Sequence, residues 1–157
     1  GASPSQIAWF YSAQALFELP LFFFGARLMR RYGAKKLLVL AIVALATKMF
    51  LFATINQVSA MLGLSMIQFF TFPLIMITSK AIVYKASDPA QKISGQVIGV
   101  ALYGNLSGIL APLLIGAFVK FSSASLALVA LGGLLGIPLV IIVVLALIRK
   151  TRLSPQQ

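Results

Sequence analysis

The chain has 157 residues, 61% of them hydrophobic and only 10% charged, with 13 Lys and Arg against 2 Asp and Glu and a net charge of +11. A water-soluble domain carries roughly 25% charged residues, and a disordered one lacks the 12 Phe and long aliphatic runs present here, so both classes are excluded. Without Cys or His no disulfide frame and no ordinary metal or haem site is expected, hence no cofactor, and two carboxylates leave too little acid–base chemistry for an enzyme.

A membrane-spanning helix needs about 20 largely apolar residues, because the hydrocarbon layer is roughly 30 Å thick. In chain order, Ile7–Ala26, Leu37–Ile55, Val58–Tyr84, Ile93–Val119 and Leu126–Ile148 each meet that length. Arg27–Lys36, Asn56–Gln57, Lys85–Lys92 and Lys120–Ser125 punctuate them. Such unbroken hydrophobicity does not fit outer-membrane strands, which alternate over about ten residues. Helices are the other structure that satisfies its own backbone in lipid. The expected fold is therefore an all-α membrane protein, a bundle of five transmembrane helices. The opening segment, Gly1–Gln6, is polar and lacks both an initiator Met and a basic leader, so the chain is read as a fragment with no signal peptide of its own.

Basic residues orient the bundle. Arg27, Arg30, Arg31, Lys35 and Lys36 follow the first span, Lys85 and Lys92 follow the third, and Arg149, Lys150 and Arg152 follow the fifth. These ten face one side and Lys120 alone the other. The positive-inside rule makes the ten-residue side cytoplasmic, with the start of the chain outside and its tail inside. Topology thus accounts for the charge, and no nucleic-acid partner is expected.

Three ionisable residues, Glu18, Lys48 and Lys80, remain within spans. An ionised group at mid-span costs about 2.5–3.5 kcal/mol on insertion scales, so it normally faces a partner or a wet cavity. At 1.5 Å per residue, Glu18, Lys48 and Asn105 each lie about 18 Å from the cytoplasmic ends of their helices. Gln68 also lies well inside its span. One reading is a polar site near the midplane lined by Glu18, Lys48, Gln68 and Asn105. The other is a structural Glu18–Lys48 ion pair with amides bonded between helices, each worth about 0.6–2 kcal/mol. Lys80, one turn from the inner end, can run its stem outward to the headgroups. Pro20, Pro73, Pro112 and Pro138 each remove a backbone donor, and kinked spans with mid-depth polar groups are typical of transporters. Gly95 and Gly99, Gly104 and Gly108, and Gly132 and Gly136 are spaced four apart, which allows helix backbones to approach closely.

The segment Ala26–Lys36 resembles the cytoplasmic signature of the major facilitator superfamily: Arg31, Gly33, Lys35 and Lys36 match, Arg30 stands where that signature has Asp, and Ala26 replaces its leading Gly. Loss of the Asp is usual in the second copy of this loop, so the resemblance implies helices 8–12 of a twelve-helix carrier, with helix seven and the N-terminal half lying outside this chain. Arg31–Leu38, Lys48, Gln68 and Pro73 together are similar to the oligosaccharide:proton symporters, the lactose-permease-like branch. There Lys48 falls on an intramembrane Arg, Gln68 on a His and Thr71 on a Glu, while that branch's acidic sugar-binding residue falls on Ala15. The His and Glu that couple protons in that branch are absent, and relatives carrying aromatic acids share a Glu-x-Pro-like start to this helix.

The resemblance implies a secondary carrier in a bacterial plasma membrane, moving a sugar or organic acid with protons by alternating access. Its partners are the lipid bilayer, the missing half, a small solute and protons. Glu18, Lys48, Gln68, Thr71 and Asn105 are the expected substrate and proton site. Arg27, Arg30, Arg31, Gly33, Lys35 and Lys36 are the expected cytoplasmic gate loop, gripping acidic partners in one conformation. The rival is a structural or assembly subunit in which Glu18 and Lys48 only staple helices.

Overall fold

The computed structural model describes residues 3–55 and 57–153, with the side chains of Val58 and of residues 146–153 set aside. Gly1, Ala2, Asn56 and the last four residues therefore lie outside the described residues, as do the side chains of Arg149, Lys150 and Arg152. Helix follows helix along the chain, and no strand occurs among the described residues. Among the described residues five helical runs are long and apolar enough to cross a membrane: Pro4–Tyr32, Ala34–Thr54, Ser59–Ala86, Pro89–Phe121 and Ala124–Leu145.

The first run is a single helix, α1 (Pro4–Tyr32). Ser3 and Gln6 start it with a reciprocal cap: the Ser3 hydroxyl accepts from the Gln6 N–H at 3.3 Å, and the Gln6 side chain accepts from the Ser3 N–H at 2.9 Å. Pro4 sits in the first turn, where its missing N–H costs nothing. The helix continues through Pro20 without interruption. It stops at Gly33, whose φ of 81° is open to glycine and strained for other residues, and whose N–H donates to the Met29 carbonyl at 3.0 Å. The next helix, α2 (Ala34–Thr54), begins at the following residue. The expected loop Arg27–Lys36 is thus a helix–glycine–helix corner. Arg30 and Arg31 lie in the last turn of α1, where cations suit the carbonyl end, and Gly33 alone turns the chain.

The third run is broken. The helix α3 (Val58–Leu64) tightens into a 3₁₀ segment, Ser65–Phe70, and restarts after Thr71 as α4 (Phe72–Ala86). Pro73 fits the restart: in the first turn of α4 it lacks the N–H that would have bonded the Phe69 carbonyl, so the hydrogen-bond ladder is interrupted there. In the fourth run a short 3₁₀ turn leads into α5 (Lys92–Val100), a π-helical segment over Ala101–Leu106, and α6 (Ser107–Phe121), which contains Pro112. The fifth divides into α7 (Ala124–Leu134) and α8 (Gly136–Leu153). The break at Leu135 precedes Pro138, whose absent N–H would have bonded the Leu134 carbonyl.

Leu21, Leu37, Ala41 and Leu74, from α1, α2 and α4, form the buried centre, with Leu28, Met29, Phe69, Ile75 and Ile77 packed around it. The helix α2 is central, against α4 on one side and α7 on the other, and α1 packs on the 3₁₀ segment and α4. Gly25 lets α1 approach Ile77. Gly132 lets α7 approach α2, because a Cβ there would lie 3.1 Å from the Phe50 ring. Gly95 similarly faces Ser87. The expectation that most of these spaced glycines serve close packing is corrected, since Gly99, Gly104, Gly108 and Gly136 have nothing within 4 Å of the Cβ position.

Candidate functional site

The break in the third span places Gln68 and Thr71 against α1 and α2. Gln68 is 9% exposed and Thr71 is fully buried. Within the 3₁₀ turn the Thr71 N–H donates to the Gln68 carbonyl at 3.1 Å. The Thr71 hydroxyl lies 3.1 Å from both that carbonyl and Oε1 of Gln68, so the irregular backbone fixes the amide side chain.

Gln68 joins the two ionisable residues, Lys48 and Glu18. Lys48, from α2, donates to Gln68 Oε1 and, at 3.3 Å, to Gln14 Oε1 of α1. Nε2 of Gln68 donates to Glu18 Oε1 at 2.6 Å. The amide can point only one way: an ammonium offers donors alone and an ionised carboxylate accepts alone, so oxygen faces Lys48 and nitrogen faces Glu18. The Phe52 ring lies 5.3 Å from Lys48 Nζ, close enough for a cation–π contribution. The expected meeting of acid and amine therefore occurs through a bridging amide, with no direct ion pair between them among the described residues. Every buried side-chain nitrogen and oxygen among the described residues has a partner. That matters in hydrocarbon, where an unsatisfied group costs several kcal/mol.

Glu18, Lys48, Gln68 and Thr71 are thus brought together from three spans, and Asn105 is not. Asn105 lies in the π-helical segment, exposed, beside Lys80 and Gln96 at a smaller cleft. The larger cleft, about 650 Å³, runs between α4 and the fourth span past Phe72, Met76, Lys80, Tyr103 and Ser107. Phe72 and Tyr103 stack across it with centroids 6.3 Å apart. Lys80 is exposed on both clefts, and its carbonyl accepts from Gln96 at 2.8 Å. Gln14 is the member that sequence reasoning missed. It stands four residues before Glu18, one helical turn away on the same face, and that spacing was the available signal.

The basic corner is a surface feature. Arg27, Arg30, Arg31, Lys35 and Lys36 are all exposed around Gly33, and the Arg31 guanidinium lies 5.3 Å from the Tyr32 ring. No group of three or more His, Cys, Asp or Glu that could hold a metal occurs among the described residues.

A family model described as Major Facilitator Superfamily matches residues 1–157. No curated protein and no solved structure matches the chain.

Proposed function

The chain belongs to the Major Facilitator Superfamily and is an integral membrane protein of transporter type, and from that membership we propose that it forms helices 8–12 of an alternating-access carrier, with helix seven and an N-terminal half outside this sequence. The carrier is a proton-coupled symporter of a small solute, a sugar or an organic acid, in a bacterial plasma membrane. The basic corner faces the cytoplasm, as does the tail, while the start of the chain is outside. In this reading Glu18, Lys48, Gln68 and Thr71, joined by Gln14, form the substrate and proton site, and Asn105 is set aside. The corner residues Arg27, Arg30, Arg31, Lys35 and Lys36, turned by Gly33, act as the cytoplasmic gate.

The observation that supports this most is the bridge itself. Gln68 connects the intramembrane acid Glu18 to Lys48, the one buried cation among the described residues, at a break in the third span. Broken helices with polar groups at mid-depth are where carriers bind substrates and ions. Protonating Glu18 turns an acceptor-only carboxylate into a donor as well, so its bond to the Gln68 amide nitrogen weakens and the amide can reorient. Reorientation alters the acceptors around Lys48, and in this way one proton changes the packing of three helices.

The test is Glu18→Gln in the full-length protein, reconstituted into liposomes and screened with labelled sugars and organic acids. Accumulation against a gradient driven by an imposed pH difference is expected to disappear, while exchange of labelled for unlabelled solute persists. Accumulation equal to the parent's would remove Glu18 from the coupling step.

A further inference from the structure

The two charges of the site are unequally available. Lys48 is 5% exposed, and the protein already surrounds its ammonium with the Gln14 and Gln68 oxygens and the Phe52 ring. Glu18 is only half-buried, and one of its two oxygens accepts a bond among the described residues. The other is not sealed away, since no buried unpartnered oxygen remains. A carboxylate has about four acceptor sites, so Glu18 keeps capacity on its open side. The 3.6-residue repeat puts Glu18 at the margin of the α1 face that buries Leu21 and Gly25. Beyond that margin the same repeat aligns Tyr11, Ala15 and Phe22, with Tyr11 and Phe22 exposed by 66% and 51%. Ala15 is exposed as well. By the helical repeat, the accessible part of the site is therefore an acid with aromatic residues on its open side, while its cation is buried inside the protein.

We propose that this face recognises its solute through a hydrogen-bond-donating group, hydroxyl or ammonium, delivered to Glu18 beside the rings of Tyr11 and Phe22, and that it disfavours carboxylates. The proposal rests on the reading of this cluster as the solute site, and it narrows the solute classes named above to the donor-bearing one. Aromatic faces suit both variants of that chemistry, since they attract cations and cover the apolar side of a polyol. An anion entering here meets the carboxylate first, and the ammonium that would balance it is buried, with two of its three N–H donors held by Gln14 and Gln68.

The experiment uses the absence of cysteine from this sequence. Ala15→Cys in the full-length protein, with this thiol the only one, is placed in nanodiscs and treated with cationic, anionic and neutral methanethiosulfonate reagents. Rates are normalised to those of a free thiol in solution. A unit charge about 7 Å away in a watery crevice gives a cation-over-anion preference of about tenfold. Glu18→Gln is expected to bring the ratio close to one, and Glu18→Asp to retain it, with the neutral reagent reporting whether the crevice keeps its shape. A preference for the anionic reagent overturns the proposal, as does a ratio indifferent to Glu18→Gln. Absence of reaction with all three also overturns it, because the stripe would then be covered. The two readings fail separately: a preserved charge preference alongside unchanged accumulation in Glu18→Gln removes the coupling role and leaves recognition standing.

Discussion

The third and fourth spans are written in the same vocabulary. Each is a long apolar run with one mid-depth amide, a proline in its second half and an irregular stretch of helix, a 3₁₀ segment in the third and a π-helical one in the fourth. They are used differently. Of the apolar window, 28% is buried in the third and none in the fourth. Gln68 lies between an ammonium and a carboxylate, whereas Asn105 is exposed at a cleft. The third span packs against α1, α2 and α5, while the fourth touches the bundle through α5 on α4 and α6 on α7. Depth in the membrane therefore does not decide whether a polar residue belongs to a site. Rotation about the helix axis decides it, and neighbours set the rotation.

The largest expected effect compares the two amides directly. Gln68→Leu removes an acceptor from Lys48, the donor to Glu18 and a partner of Thr71, so a buried cation loses half of its oxygen contacts. Breaking a buried charged contact costs about 3–5 kcal/mol in soluble proteins, and interhelical bonds in lipid average lower. A loss of about 3 kcal/mol is expected for Gln68→Leu. For Asn105→Leu, on an open face, a change within about 0.5 kcal/mol is expected. Denaturation in mixed detergent micelles measures both, and equal losses would erase the distinction between the two spans.

Much of the architecture was legible beforehand. Five spans could be counted because each bilayer crossing needs its own apolar length and satisfies its own backbone. The span ends were less legible. The helix of α1 continues through Arg27 to Tyr32, since polar residues outside the hydrocarbon are still good helix formers. Glu18 and Lys48, which share a depth, are joined in the structure through Gln68. The same arithmetic drew in Asn105, because counting along an axis gives height and no azimuth. In a helix that is apolar all round, no polar stripe reports which way a residue points. Gln14 was overlooked for the opposite reason: being uncharged, it raised no question of cost, although its spacing from Glu18 was plain. The intervention of Gln68 between acid and amine depends on where a 3₁₀ turn sets its amide, which Pro73 hints at and residue spacing does not fix.

A middle-sized effect probes the packing of α2 on α7. At Gly132 a Cβ would stand 3.1 Å from the Phe50 ring and 3.4 Å from the Met49 Cβ, so added methyl groups must displace an aromatic ring. Gly132→Val is expected to destabilise by about 2 kcal/mol, within the range for overfilling a packed contact. Pairing it with Phe50→Ala checks the cause: the double variant should lose less than the sum of the two single losses, because the space vacated by the ring accepts the valine. Strict additivity would separate Gly132 from Phe50.

The smallest effect has the opposite sign. Gly108, on α6, has nothing within 4 Å of its Cβ position and lies on the large cleft. Glycine in a helix interior leaves more backbone freedom to lose than alanine does, by about 0.8–1 kcal/mol in water. With no neighbour to displace, Gly108→Ala should therefore be neutral or stabilise by up to about 1 kcal/mol. The substitution adds one methyl in both spans, so Gly132→Ala in the same detergent series is the matched control. Destabilisation at Gly132 with none at Gly108 keeps the contrast between a filled and an open helix face. A loss of about 1 kcal/mol or more at Gly108 would mean that another backbone approaches this face, and the fourth span would then be as closely packed as the third.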